Sequence, residues 1–232
     1  MENSKNAIGA VILAAGSGSR MNSDVTKQKM QLCGTSVIKR CVLPFVKSEF
    51  ITEIVVVCRS GEIDFVRSEL SFVTEKPISY VIGGKTRRES AQIGFFEIAG
   101  GCELVAIHDG ARPLVSVKNI NDVCSAAIEY GAATASTPVT DTVKSVKDGF
   151  SVSTVDRAML SAVQTPQVFR CELYKRACEA AGDLETTDDN MLLEALGIGV
   201  RLVDTGKRNI KITTEEDIAY AEFLINGGYI DA

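Results

Sequence analysis

The chain has 232 residues, 45% hydrophobic and 24% charged, which is ordinary for a globular protein with a sizeable core and suits one large domain, 1–232, better than two. A net charge of -5 argues against a nucleic-acid binder with a basic face, and no apolar run approaches the roughly 20 residues of a membrane span. Seven cysteines, an odd number without a C-x-x-C pair, and the lone His108 speak against a disulfide framework or a zinc site and point to reduced thiols in a cytoplasmic protein.

The first apolar run, Ile8–Ala14, reads as a strand that feeds a loop carrying Gly16, Gly18 and Arg20. Lys5 followed by this run resembles a short signal peptide, but Glu2 offsets Lys5, the apolar core is barely long enough, and a glycine-rich loop follows. Ser36–Lys47 is helical in pattern, with Pro44 expected to kink it or move its start. A strand over Glu53–Cys58 leads to a helix over Gly61–Phe72, with Ser60 in the N-cap position. Then come a strand at Ile78–Ile82, a helix at Arg87–Ile98 and a strand at Leu104–His108. The helix Lys118–Tyr130 is bracketed by Ser116 as N-cap and Gly131 as a left-handed C-terminal residue, and a strand follows at Ala132–Thr137. Helical patterns cover Glu172–Ala181, Asp188–Leu196 with Gly197 behind it, and Glu215–Ile225, before which Thr213 and Glu216 have capping-box spacing. A last strand lies at Val200–Val203.

This alternation predicts an α/β fold: a Rossmann-like, mostly parallel sheet with helices on both faces, binding its ligand outside the carboxyl ends of the strands. One segment breaks the pattern. Within Asp141–Arg157, two β-like runs flank Asp148-Gly149, a strong hairpin signal. A two-stranded hairpin is marginal in water, so this arm (139–158) is expected to protrude and pack on another copy of the chain; the alternative folds it back on its own domain.

Two decoys are set aside. A nicotinamide-type fingerprint needs a third glycine where Met21 stands, and an acidic residue about 20 positions on that the chain lacks. Gly84-Lys85-Thr86 imitates the end of a P-loop, but the first glycine of that motif would fall at Ser79. What remains is a strand, a glycine-rich turn and the cations Arg20 and Lys27, a pattern suited to phosphate.

The segments LAAGSGSRM…TKQ, GGKTRRES, HDGARP, DTVK, VDR, QTPQVF, TTDDNMLLEALG and NIKIT occur in this order. Together they resemble the 2-C-methyl-D-erythritol 4-phosphate cytidylyltransferase family, over about Ala7 to Leu224. The resemblance implies a fold of the nucleotide-diphospho-sugar transferase type and a reaction of CTP with methylerythritol phosphate that gives CDP-methylerythritol and pyrophosphate. It also implies a divalent metal, usually Mg2+, and a homodimer joined by an exchanged β-arm. Carried over by motif, Ala14, Ala15 and Gly16 lie along CTP, with Arg20 and Lys27 on its phosphates. Gly83, Gly84 and Ser90 line the cytosine pocket. Asp109, Arg112 and Thr142 face the phosphosugar or the metal, with Asp109 the metal candidate, and Arg157 and Lys211 hold the substrate phosphate. Arg157 or Thr142, being on the arm, would serve the partner's site. The chain departs from the family pattern at Thr26, Lys29, Gly110 and Asn190, and none of these removes a cation.

Such chemistry fits the residue inventory. A phosphate monoester loses its second proton near a pKa of about 6, so the nucleophile is already ionised and needs no general base. His108, behind a buried strand, is therefore expected to be a packed core histidine. TTDD reads as a helix N-cap with favourable first-turn acids, with an ordering role for Thr187 or Asp188 kept open. The competing readings are a cytidylyltransferase for another alditol phosphate such as ribitol 5-phosphate, an NAD-dependent dehydrogenase, and a non-catalytic CTP-binding module.

Overall fold

The computed structural model describes residues 7–16, 26–71, 76–98, 101–182 and 184–230. Its centre is a seven-stranded sheet built from β1 (Ile8–Ala14), β4 (Ile51–Cys58), β5 (Ile78–Ile82), β6 (Leu104–Asp109), β7 (Ala132–Pro138), β10 (Ser161–Arg170) and β11 (Arg201–Asp204). The strand order is β11-β7-β10-β6-β1-β4-β5. Every pairing is parallel except those of β10, which runs antiparallel between β6 and β7.

Side chains of successive strand residues point to opposite faces, and both faces of this sheet are apolar, as a sheet covered twice requires. Ile8, Ala10 and Ile12 of β1 join Ile54 and Val56 of β4 on one face. There they meet α1 (Val37–Lys47), α2 (Ile63–Leu70) and α4 (Val117–Tyr130) through Ile38, Phe45, Val66, Ile120 and Val123. Val11, Val55 and Val57 turn to the other face, against α3 (Arg87–Glu97), α5 (Cys171–Ala180) and α6 (Asn190–Glu194) through Phe95, Tyr174 and Leu193. A third cluster seats α7 (Glu215–Asn226) on Leu32, Val37, Leu114 and Ile212, beside the two-residue strands β2 (Gln31–Leu32) and β3 (Thr35–Ser36). No helix among the described residues is long and apolar enough to cross a membrane.

Helix ends follow local chemistry. The Ser36 hydroxyl accepts from Lys39 N–H at 3.3 Å, Thr86 from Glu89 at 3.0 Å and Ser116 from Asn119 at 3.0 Å. Gly131 closes α4 at φ 85°. Pro44 stays inside α1, which continues to Lys47. Two expected caps are displaced. Glu62, not Ser60, occupies the N-cap of α2. Before α7 the acid that reaches back is Asp217 rather than Glu216, accepting from the N–H groups of Thr213 at 2.7 Å and Thr214 at 2.8 Å. The strand β10 has no counterpart in the sequence-based elements, because polar residues and Pro166 interrupt its apolar pattern; its pairing with β7 shifts between Val163 and Gln167.

The expected hairpin is present. β8 (Val143–Lys147) and β9 (Phe150–Val155) pair antiparallel in a sheet of their own, joined by Asp148 at φ 50° and Gly149 at φ 81°, both left-handed as a tight hairpin turn demands. The arm leaves Val146, Phe150, Val152 and Met159 exposed, Phe150 at 77% and Met159 at 84%.

Candidate active site

A cavity of about 560 Å³ opens at the carboxyl ends of β1, β5 and β6. Leu13 of β1 and Ala15 and Gly16 just after it form its floor. Gly84, Lys85, Thr86, Arg87 and Ser90 form one wall at the start of α3, and Thr187 stands before α6. Lys27, Gln28, Asp109, Ala111 and Lys211 complete the lining. Asp109 is the one acid among these residues, faced by Lys27, Lys85, Arg87 and Lys211.

Asp109 ends β6 and is the hub. Its Oδ2 accepts from Lys211 Nζ at 2.7 Å, its Oδ1 from Arg87 Nε at 3.2 Å, and Arg112 Nε lies 3.9 Å away. Burial alone would raise its pKa, but the charges of Arg87 and Lys211 outweigh burial and hold the carboxyl well below the usual carboxylate range. Arg87 is shared. Its Nη1 donates to Asp189 Oδ2 at 2.6 Å, so one guanidinium bridges two carboxylates, and these keep it charged against the opposing effect of burial. Asp189 also accepts from the hydroxyl of Tyr174 at 2.8 Å, and its backbone N–H donates to Gln167 Oε1 at 2.9 Å.

The segment that carries Lys211 is fixed from below. Ile212 N–H donates to Ala111 O at 2.8 Å, Arg112 Nη1 to Asn209 O at 2.7 Å, and the buried Asn209 side chain to Thr165 O at 2.8 Å. Lys27 Nζ donates to Ile212 O at 3.0 Å, which ties the first cation-bearing segment to the last. Gly83 permits a close approach, since an added Cβ would sit 2.5 Å from Ala15 Cβ and 2.8 Å from Ser90 Oγ. The Ser90 hydroxyl accepts from Gly84 N–H at 3.1 Å and holds the turn.

His108 is fully buried between Thr165 and Arg112. The Arg112 carbonyl can only accept, so Nε2–H of the neutral ring donates to it at 3.2 Å and Nδ1 accepts from the Thr165 hydroxyl at 3.0 Å, whose oxygen in turn accepts from Asp109 N–H at 3.0 Å. Burial pushes the imidazole pKa down to about 4, leaving a neutral ring that packs 4.9 Å from the Phe45 ring.

Residues 8–227 match the family model for 2-C-methyl-D-erythritol 4-phosphate cytidylyltransferase. The chain belongs to this family. A relative from Caldanaerobacter subterraneus subsp. tengcongensis, named 2-C-methyl-D-erythritol 4-phosphate cytidylyltransferase, is 40% identical over 225 residues, covering 94% of this chain and 98% of its own. One from Geobacillus kaustophilus with the same name is 40% identical over 219 residues, covering 93% and 96%. The crystal structure of 4-diphosphocytidyl-2C-methyl-D-erythritol synthase from Anaerococcus prevotii superposes with a TM-score of 0.85 at 31% identity, covering 96% of this chain and 99% of that one.

Of the residues singled out from the sequence of this cytidylyltransferase-family chain, the structure gathers Ala15, Gly16, Lys27, Gly84, Ser90, Asp109 and Lys211 around one cavity. Ala14 ends β1 with its side chain in the core, and Gly83 and Arg112 stand one layer behind the lining. Thr142 and Arg157 are exposed on the arm, where Arg157 Nη1 donates to Thr140 O at 2.6 Å. Arg20 and Gly18 lie outside the described residues. Sequence reasoning missed Arg87, Thr165 and Asp189. Arg87 lies inside GGKTRRES, but only the glycines and Ser90 were singled out there. The first turn of α6 holds no acid: Asp188 lies before the helix and accepts from Met191 N–H at 3.3 Å, whereas Asp189, at the N-cap position, makes no cap bond and turns inward to Arg87 and Tyr174.

Proposed function

We propose that the protein transfers the CMP group of CTP to 2-C-methyl-D-erythritol 4-phosphate, giving CDP-methylerythritol and pyrophosphate; its relatives are named 2-C-methyl-D-erythritol 4-phosphate cytidylyltransferase. The observation that carries this reading is the cavity itself, where Lys27, Lys85, Arg87 and Lys211 converge with a single carboxylate at the strand ends.

The reaction brings two polyanions together. One pair of unit charges 4 Å apart costs about 4 kcal/mol at an effective dielectric of about 20, so several fixed cations are needed. An ionised phosphate oxygen of the acceptor attacks the α-phosphorus of CTP and pyrophosphate leaves in line. Lys27, with Arg20, suits the leaving pyrophosphate. Lys211, with Arg157 from a partner's arm, suits the attacking phosphate. No proton need be abstracted, which agrees with a buried, neutral His108 that faces Thr165 and Arg112 rather than the cavity. Ala14, Ala15 and Gly16 would run beside the nucleotide, Gly83, Gly84 and Ser90 beside its base, and Arg112 and Thr142 toward the phosphosugar.

The site also fits a divalent metal such as Mg2+. Mg2+ is commonly held by one or two carboxylates together with substrate phosphates, and Asp109 supplies one carboxylate among otherwise cationic walls. When bound, the metal would neutralise and orient the triphosphate. The exposed apolar arm, 139–158, supports a homodimer of 1–232 catalytic domains in which each arm lies on the partner. An acidic chain with reduced thiols suits a cytoplasmic enzyme acting on small molecules rather than on nucleic acid or membrane.

The test is pyrophosphate release by purified protein with CTP and Mg2+, comparing methylerythritol 4-phosphate with ribitol 5-phosphate. Release with the first acceptor only is expected. Release with ribitol 5-phosphate only would move the protein to another alditol phosphate, and release with neither would overturn the reading.

A further inference from the structure

The two sides of the cavity come from chain segments about a hundred residues apart. One is the turn and first helical residues at Gly84–Ser90, and the other is the approach to α6 at Thr187–Asp189. One direct link between them is the ion pair of Arg87 Nη1 with Asp189 Oδ2, at 2.6 Å. We infer that Asp189, seated by Tyr174, is a positioning residue: through Arg87 it fixes how far apart the two walls of the nucleotide cavity stand.

Asp189 is fixed from several sides, and Arg87 reaches it from the start of α3. Asp189 is 1% exposed and its carboxylate takes the Tyr174 hydroxyl at 2.8 Å. The Tyr174 ring is held in turn by Phe169, stacked at 5.4 Å, and by the edge of Phe95 at 5.0 Å. Gln167 of β10 fixes the same turn from the sheet, accepting from Asp189 N–H and donating to Asp188 Oδ2, both at 2.9 Å. The Arg87 side chain is 24% exposed. It projects from the first turn of α3 and is located by the two carboxylates it touches, Asp109 at the cavity floor and Asp189 across the cleft. Two anions pulling one guanidinium in different directions define its position better than either would. Arg87 in turn carries the junction whose Gly84 N–H is tied to Ser90 and whose Lys85 N–H is tied to Glu89 at 2.6 Å. If the strut is cut, Arg87 is free to swing wholly onto Asp109, and the α3 wall loses one of its ties to the α6 side, keeping those of Arg88 to Gly182 O at 2.9 Å and Leu184 O at 2.7 Å.

Asp189 does not itself line the cavity, and its charge reaches the lining through Arg87. The inference rests on the cavity being the CTP site, and its test has an arm that does not. The variants are Asp189→Asn, which keeps the shape and removes the charge, and Tyr174→Phe, which removes only the hydroxyl. In the free protein, amide hydrogen exchange should speed up in both 84–90 and 187–194 for Asp189→Asn, and less so for Tyr174→Phe. By calorimetry, CTP·Mg2+ should bind roughly tenfold more weakly to Asp189→Asn, the size expected when a charged hydrogen bond that shapes a site is lost. In turnover, KM for CTP should rise by the same factor while kcat and KM for the acceptor change less than about twofold. Exchange confined to 187–194, with 84–90 unchanged, would overturn the inference whether or not CTP binds. So would CTP affinity equal to that of the parent in a parent that does bind CTP. A parent that fails to bind CTP would instead overturn the proposed function and leave the exchange result to decide the strut.

Discussion

The arm gives the proposed dimer its most discriminating test. Arg157 stands at the base of the exposed hairpin, bonded to Thr140 O, and is absent from the lining of its own chain's cavity, while Lys211 lies in that cavity on Asp109. If each arm serves the partner's cavity, one complete site needs Lys211 from one chain and Arg157 from the other. Arg157→Ala and Lys211→Ala should each lose activity about a hundredfold or more, the scale for deleting one fixed group that stabilises transition-state charge. The two dead variants are then unfolded together, refolded and allowed to assort. About half of the resulting dimers are mixed, and each mixed dimer has one site with both residues intact and one site with neither, so activity should return to about a quarter of the parental value. Differently tagged chains, purified in tandem, isolate the mixed dimer, whose activity should be about half that of the parent. Pyrophosphate release is the assay. If Arg157 instead folded back to serve its own cavity, every site in the mixed dimer would lack one residue. Tandem-purified mixed dimers no more active than the single variants would therefore refute the crossing of the arms.

Asp109→Asn removes the anion on which Lys211 and Arg87 converge, and kcat/KM should fall about a hundredfold in the same assay; undiminished turnover would remove Asp109 from the site. Gly94→Ala should destabilise the fold by about 1–3 kcal/mol in urea unfolding, despite the better helix propensity of alanine. The added methyl would lie 2.7 Å from Val57 Cγ2 and closer still to Val11 Cγ1, where α3 presses on β1 and β4, and an equal or higher unfolding midpoint would contradict that packing. Iodoacetamide at pH 7.5 should label Cys33 first, the exposed cysteine among the described residues. Burial holds the thiols of Cys58 and Cys171 up at about 11 and that of Cys124 at about 12, so mass spectrometry should find a single fast-reacting site.

The parallel strands were legible because each is a short, nearly unbroken apolar run between turn residues. Ile8–Ala14 and Ile78–Ile82 are found with the bounds read from the sequence, and Asp148-Gly149 forms the turn its dipeptide predicts. β10 was not legible because it violates the usual composition of a central strand. Gln164, Thr165 and Gln167 are buried there, and Pro166 cannot donate to the ladder. Those polar residues are satisfied only by distant partners: Asn209 for Gln164, His108 for Thr165, Asp188 and Asp189 for Gln167. The cavity shows the same division. Its segments could be found as motifs, each with a glycine turn or a cation, but the Arg87–Asp189 pair joins residues 102 positions apart, and a local reading of TTDD as a helix start had no means of seeing it.

The inserted strand and the charge pattern explain each other. An acidic chain of net charge -5 must still present cations to a triphosphate and hold them apart before substrate arrives. It does so by alternation: Lys211, Asp109, Arg87 and Asp189 form a line of two cations and two anions that sums to zero, ended by the neutral Tyr174 hydroxyl. Each cation has its place set by a carboxylate, so charge stabilisation is arranged in advance and does not have to be organised during the reaction. β10, antiparallel between β6 and β7, brings Thr165 to the backbone N–H of Asp109 and Gln167 to that of Asp189, so both acids are anchored to one element. The polar residues that make β10 a poor strand in sequence terms are thus what ties the two carboxylates to a common frame.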